Sequence, residues 1–516
     1  MLFAKWNSLA NLKTVSSQKI FALKNLSKNQ YLSDLLNFSL FLYTEKKKVS
    51  AMKKILLIIF SLFLSGFLFS QKKPVKKLKP IPKFNYIDEF KKISDEILIN
   101  GTAYNNLGEL TKNVGSRFSA TPGYDKATEW AVKNLKEAGA ENIWKQEVRV
   151  PIWIRGKESL QIKTGNGDWK NIRMLSFGNS EGTGGKDMIY DILLVNDAQE
   201  LVNLTSAQVK DKIIFVNYPI DPKIISTVDS YLIAAKSKLL SASVIGKKGA
   251  KALIIRSLTT ATDDIPHAKQ IYYEPDDKVK IPAVTIGVKS ADELEKLLKK
   301  QTVKAKLNMT AESKGETINH NVIGEILGKK DSKVIVLGAQ LDSWDFAEGA
   351  HDDGTGVVQC LEVLRTFKAL GYDNNHTIRI VLYANSENGG QGRETYAAQV
   401  KKKEEKHIVA LGTDSGGYSP RGFSLDMSPQ RRRLIFPWKE YFLPYGVYDF
   451  DQTDAIQDIA PLKKLDIPLI EMVVDTQRYF DYHHSEKDTF DKVNKRELLF
   501  GAVVMTQMVF MIDKNW

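Results

Sequence analysis

The 516-residue sequence predicts an α/β protein: a mixed, mostly parallel sheet flanked by helices, interrupted by a smaller β-rich insert. Three observations carry this expectation. Residues 334–338, 378–383, 408–412 and 469–474 are β-branched apolar runs without polar alternation, as in strands buried on both faces. Helical periodicity lies between them, as after Gly356, where Val357, Cys360, Leu361, Leu364 and Phe367 share one face. Residues 165–312 have a different texture, with short β-rich runs at 188–195, 212–218, 252–255 and 283–286 between polar segments, and helical stretches at 234–248 and 292–300.

Taken in order, residues 1–51 read as an upstream extension of the start, because Met52 opens a complete export signal. Lys53 and Lys54 precede an apolar run at 55–69, followed by Ser70 and Gln71. That run is shorter than the roughly 20 residues a membrane span needs. A cleaved signal at 52–70 is expected, and an uncleaved anchor is the alternative. The product is then secreted or periplasmic, with no stable membrane span. No cysteine follows the run, and Cys360 is the only cysteine, so neither a lipid anchor at that point nor an intramolecular disulfide fits. Residues 71–85 form a basic linker rich in proline and lysine.

Residues 86–164 begin the main domain. Ile87, Phe90, Ile93 and Ile97 give one helical stripe, a second helix follows the turn Thr121-Pro122-Gly123, and 147–154 alternate like a strand. Residues 165–312 are the insert, and 313–516 complete the main domain. The formal charge is +13, but residues 1–83 hold 16 lysines and two acids, a net of +14, so the remainder carries 13 − 14 = −1. A basic nucleic-acid groove is therefore excluded from the folded part.

Four segments concentrate carboxylates and histidine just beyond apolar runs: GAQLDSWDFAEGAHDDGTG (338–356), YANSENGG (383–390), LGTDSGG (411–417) and YFDYHHSEKDT (479–489). Open α/β sheets place ligands at the carboxyl ends of their strands, so these loops are expected to converge. Alone, Asp352-Asp353-Gly354 would be a helix-start turn and His484 an ordinary histidine. The joint pattern points to a metal centre.

These motifs, together with GSRFSATPGYDKATEWAVKNLKEAGAENI (115–143), NVIGEILG (321–328) and HHSEKDT (483–489), resemble the co-catalytic zinc aminopeptidase and carboxypeptidase family, in its carboxypeptidase Q branch, from about residue 85 to the end. The resemblance implies a zinc exopeptidase fold, a protease-associated domain at 165–312, and short peptides or dipeptides as substrate or ligand. A homodimer stays open. It implies Asp352 as the carboxylate bridging two metals, with Glu387 and His484 completing one site. Asp414 and a histidine at 340 would complete the other, oriented by Asp342. A glutamate at 386 would be the general base. Such a centre activates a water, polarises the scissile carbonyl and passes a proton to the leaving amine.

The sequence departs from that pattern twice. Gln340 replaces the histidine with a neutral oxygen ligand, much poorer for zinc. One zinc is expected at Asp352, Glu387 and His484, and the second site is expected to be empty, weak, or suited to calcium or magnesium. Ser386 replaces the base, and loss of such a base costs about 10²–10⁴-fold in rate. His351 is a remote substitute for the lost ligand, and His483, Asp353 and Asp345 are candidate bases. Two outcomes remain open: an exported exopeptidase with a weakened or altered centre, or a pseudo-peptidase that binds peptide, metal or a partner. A binding module acting through the insert is a third.

Overall fold

The computed structural model describes residues 86–239, 241–275, 277–454 and 458–516. The expected extension, export signal and linker fall outside the described residues. The strands, in chain order, are β1 Asn142–Ile154, β2 Glu158–Thr164, β3 Lys170–Ile172, β4 Met174–Ser176, β5 Met188–Val195, β6 Lys212–Val216, β7 Ala252–Arg256, β8 Ala283–Ile286, β9 Val303–Met309, β10 Glu312–Ile326, β11 Val334–Gln340, β12 Thr377–Tyr383, β13 His407–Gly412, β14 Pro420–Asp426 and β15 Leu469–Val474.

A seven-stranded sheet runs in the order β1-β10-β12-β11-β13-β15-β14. Its centre is parallel, through β12–β11, β11–β13 and β13–β15, and its flanks are antiparallel. Every residue of β11 and β12 is buried, which explains why both read as unbroken apolar runs. The register pairs Gln340 with Tyr383, so β11 and β12 end level and their following loops emerge side by side.

Helices cover the sheet. Pro122–Ala138 is set by its ends: the Thr121 side chain accepts from the Tyr124 amide, Pro122 opens the first turn, and Gly139 closes it at φ 103°. Lys495–Asn515 is apolar on every face because it packs against Tyr86–Asn100, Thr355–Ala369 and β14 at once. No helix among the described residues is long and apolar enough to cross a membrane. In Tyr86–Asn100 the stripe is Tyr86, Phe90, Ile93 and Ile97, whereas Ile87, expected on it, is 68% exposed. Tyr86 packs on Phe510 and Tyr441 and takes the place that spacing assigned to its neighbour.

The second sheet has eight strands in the order β3-β2-β9-β5-β6-β7-β8-β4. It starts at Glu158 and ends at Met309, so the expected limits of 165–312 shift towards the N-terminus. The junction escapes composition because β1 and β2 are both alternating strands with only residues 155–157 between them. The insert is itself an α/β unit: β5–β6, β6–β7 and β7–β8 are parallel and are accompanied by helices such as Thr227–Leu239 and Val288–Leu298. β1 and β10 pair from Asn142–Glu325 to Ile154–Glu312, a ribbon that carries the chain out of the first sheet and back.

Leu337, at the middle of β11 and fully buried, tests this core. Leu337→Ala should destabilise the protein by about 2–5 kcal/mol in denaturant unfolding. Ile99→Ala, at a site 78% exposed, should change it by less than about 0.5 kcal/mol.

Candidate metal centre

The carboxyl ends of β11, β12, β13 and β15 each deliver part of one site. Gln340 ends β11, and its amide nitrogen donates to Asp352 Oδ1 at 3.0 Å. Asp342 is fully buried and accepts the backbone N–H groups of Ser386 (2.9 Å) and Glu387 (3.1 Å), fixing the loop after β12. Asp353 accepts from the Gln340 and Gly356 amides, and Asp488 from those of His351 and Asp352. These four-way ties hold Asp352 in place between two helical turns.

His484 sits in the loop beyond β15 with a left-handed backbone, φ 59°, and Asn385 beside Ser386 has φ 61°. Such conformations cost a non-glycine residue about 1–3 kcal/mol and cluster at functional sites. His484 Nε2 lies 3.2 Å from Asp352 Oδ2 and 3.3 Å from Glu387 Oε2. His483 Nε2 lies 3.5 Å from the same Asp352 oxygen, and its ring stacks on His484 at 3.5 Å. Asp352, His483 and His484 thus form a compact group able to hold a cation.

The donor set fits zinc, which takes imidazole and carboxylate ligands. Asp352 Oδ2, Glu387 Oε1 and His483 Nδ1 are buried and make no hydrogen bond. Buried polar atoms are normally paired, so unpartnered atoms on three residues of one cluster fit a site that takes a cation. Burial, reinforced by Asp352, pushes the Glu387 carboxyl well up; burial with Asp458 does the same to Asp414, and burial with Asp414 to Asp353. Burial holds His483 and His484 below the ordinary imidazole value, in the neutral ligand form.

The other anticipated residues divide. Asp414 is half-buried beside these acids with its carbonyl accepting from Tyr479, and it lies outside the compact group. His351 is committed elsewhere: it is stacked on Tyr418 at 4.4 Å, its Nδ1 accepts from the Gly417 amide, and Nε2 lies 3.3 Å from the Lys492 carbonyl. Asp345 is bound by Arg155 through both oxygens, at 2.7 and 2.8 Å, so it lends no base. Asp353 spends its oxygens on backbone amides.

Sequence reasoning missed three participants. Arg117 is fully buried and donates to the carbonyls of Leu341, Glu348 and Gly349, shaping the loop after β11. It lies within GSRFSAT, a segment noticed only as a motif. Asp458, in the irregular stretch between β14 and β15, accepts from the Ser386 hydroxyl at 2.7 Å. No strand end or motif marks it. Lys269 comes from the insert and feels Glu387, Asp352 and Asp414, while burial holds its ammonium below the usual lysine value.

The insert forms one wall of the site. Ala268 N–H donates to the His484 carbonyl (2.9 Å), His267 Nδ1 meets the His483 carbonyl (2.7 Å), and Thr259 donates to the Phe480 carbonyl (2.6 Å). Tyr231 stacks on Phe480 at 4.5 Å. A narrow cleft opens there, lined by Phe177, Tyr231, Leu258, Lys269, His483 and His484.

Comparison with known proteins agrees with this fold. A profile of peptidase family M28 matches residues 321–508. The chain is 28% identical to carboxypeptidase Q of Xenopus laevis over 434 residues, 83% of this chain and 90% of that protein. It is 25% identical to aminopeptidase YwaD of Bacillus subtilis (strain 168) over 284 residues, 52% and 58% of the two chains. The crystal structure of a peptidase M28 precursor from Shewanella amazonensis SB2B superposes with a TM-score of 0.79 at 28% identity, covering 84% of this chain and 97% of that one. A zinc aminopeptidase from Bacillus subtilis shares the fold, with a TM-score of 0.58 at 17% identity, covering 80% and 94%.

The buried acids make stability depend on pH. Burial pushes Asp342 and Asp488 each up to about 7. A folded-state pKa above the unfolded value of about 3.9 means that the contribution is complete below that value and lost as pH rises through 7. Chelator-treated protein should therefore lose unfolding free energy between about pH 4 and 7, and Asp342→Asn should flatten that slope in urea titrations.

Proposed function

The chain carries a peptidase family M28 domain, and from that premise we propose that it is a metal-dependent exopeptidase-type hydrolase of short peptides with an altered centre. The observation carrying this is the approach of His484 Nε2 to Asp352 and Glu387 within 3.3 Å, beside buried oxygens that lack partners. Asp352, Glu387 and His484 would hold one zinc, with His483 as a further nitrogen nearby. A zinc there acidifies a water and polarises a carbonyl.

The rest is the work of the chain. Asp342 holds the backbone of the Ser386–Glu387 loop and so sets the angle at which Glu387 enters the site. Gln340 turns its amide N–H towards Asp352, which leaves the second site to the oxygens of Asp352, Asp414 and Gln340. That set suits a hard cation better than zinc. Lys269 lines the narrow cleft beside His483 and His484 and would offer a cation matched to a free carboxylate. The apolar segment at 55–69 supports an exported location. The position of the insert in the chain supports reading it as a protease-associated domain.

A pseudo-peptidase is favoured by two specific observations. Gln340 caps the bridging carboxylate, and Ser386 brings only a hydroxyl where a proton acceptor is needed. Metal analysis with a dipeptide assay separates the readings. The zinc-loaded protein should hold a single zinc, His484→Ala should lose it, and Gln340→His should take up a second and raise turnover. Zinc and peptide binding without chelator-sensitive turnover would establish the pseudo-peptidase, and failure of the wild type to retain zinc would sink both.

A further inference from the structure

Hydrolysis at this centre needs a proton acceptor, and Ser386 is not one. The Ser386 backbone is pinned by Asp342, and its hydroxyl donates to Asp458 Oδ1 at 2.7 Å. Arg393 Nη1 reaches the same oxygen at 3.4 Å. Asp458 is 4% exposed, and its other oxygen, Oδ2, is buried and makes no hydrogen bond. A carboxylate kept only for structure is expected to satisfy both oxygens, because an orphaned buried acceptor costs about 1–3 kcal/mol. One oxygen here is anchored and the other is not. The Asp458 charge also acts on Asp342, Glu387 and Asp414, which locates it among the site acids.

We propose that Asp458, anchored by the Ser386 hydroxyl, is the proton acceptor for peptide hydrolysis, supplying from the β14–β15 connection the carboxylate that the β12 loop lacks. This rests on the hydrolase reading. In the step, the water oxygen forms its bond to the scissile carbonyl carbon while one water O–H bond breaks and its proton passes to Asp458 Oδ2. When the C–N bond breaks, that proton moves to the amine nitrogen, which leaves with the bonding pair. Asp458 returns to its carboxylate form, and no other reactant is consumed. Ser386 is a positioning residue here: it holds Oδ1 and leaves Oδ2 to the water. Burial pushes the Asp458 carboxyl up, and Arg393, 3.4 Å from Oδ1, opposes that rise.

The test uses the full zinc-loaded protein and a panel of unblocked dipeptides (Ala-Leu, Lys-Leu and Glu-Leu), with kcat, KM, zinc content and thermal unfolding measured together. Asp458→Asn should lower kcat by about 10²–10⁴-fold with KM and zinc content unchanged. Adding Ser386→Glu to Asp458→Asn should recover at least about tenfold in kcat, because a carboxylate is returned from the other side. A merely structural Asp458 would not be rescued this way. Asp458→Glu, which keeps the carboxylate, guards against misfolding of the amide variant and should retain most of the activity. Zinc binding with Asp458→Asn turning over like wild type overturns this proposal alone, as does a loss that Ser386→Glu does not relieve. Absence of zinc binding in the wild type overturns the hydrolase reading as well.

Discussion

Like charges gathered where water is scarce dominate this molecule. Asp342, Asp352, Asp353, Glu387, Asp458 and Asp488 are buried around one point, with Asp414 half-buried beside them. Unpaired, such a group would protonate or unfold the loops that carry it. The fold answers with directed dipoles and scarce cations. Asp342, Asp353 and Asp488 each accept two backbone N–H groups. Arg117 spends its own donors on carbonyls, yet its charge still acts on Asp342, Asp353, Glu387 and Asp488. Lys269 adds charge from the insert. The balance left over is what a divalent ion would neutralise.

Gln340 and Ser386 fit this electrostatic frame. The neutral amide of Gln340 adds no charge, and its N–H satisfies one oxygen of Asp352 locally. Ser386 adds no carboxylate to the crowd, and its hydroxyl donates to Asp458, which arrives from another segment.

Much of this was legible in the sequence, for physical reasons that name themselves. β11, β12, β13 and β15 are buried on both faces, so their apolar runs are unbroken and their ends fall within a residue or two of expectation. The site residues that follow those ends inherit that clarity. β14 was missed because it is a flank strand containing Pro420 and Gly422, and its partnership with β15 is antiparallel and long-range. The helix Gln391–Lys403 was missed because it is largely polar and carries little stripe. Asp458 and Lys269 were illegible for a different reason: each reaches the centre from a segment without regular structure, and only tertiary contacts bring it there.

The insert meets the main domain at more than one place. The β1–β10 ribbon joins it at one end, and at the other His267, Ala268 and Thr259 bond to the very stretch that bears His484. A body hinged at one point can swing, but a body fastened at two is a truss. Loosening the distal fastening would therefore move a metal ligand as well as a wall. The side chains that line the cleft there, such as Tyr231 and Lys269, are then carried on a fixed frame. Any loop grafted in place of the insert must reproduce the far joint as well as the near one.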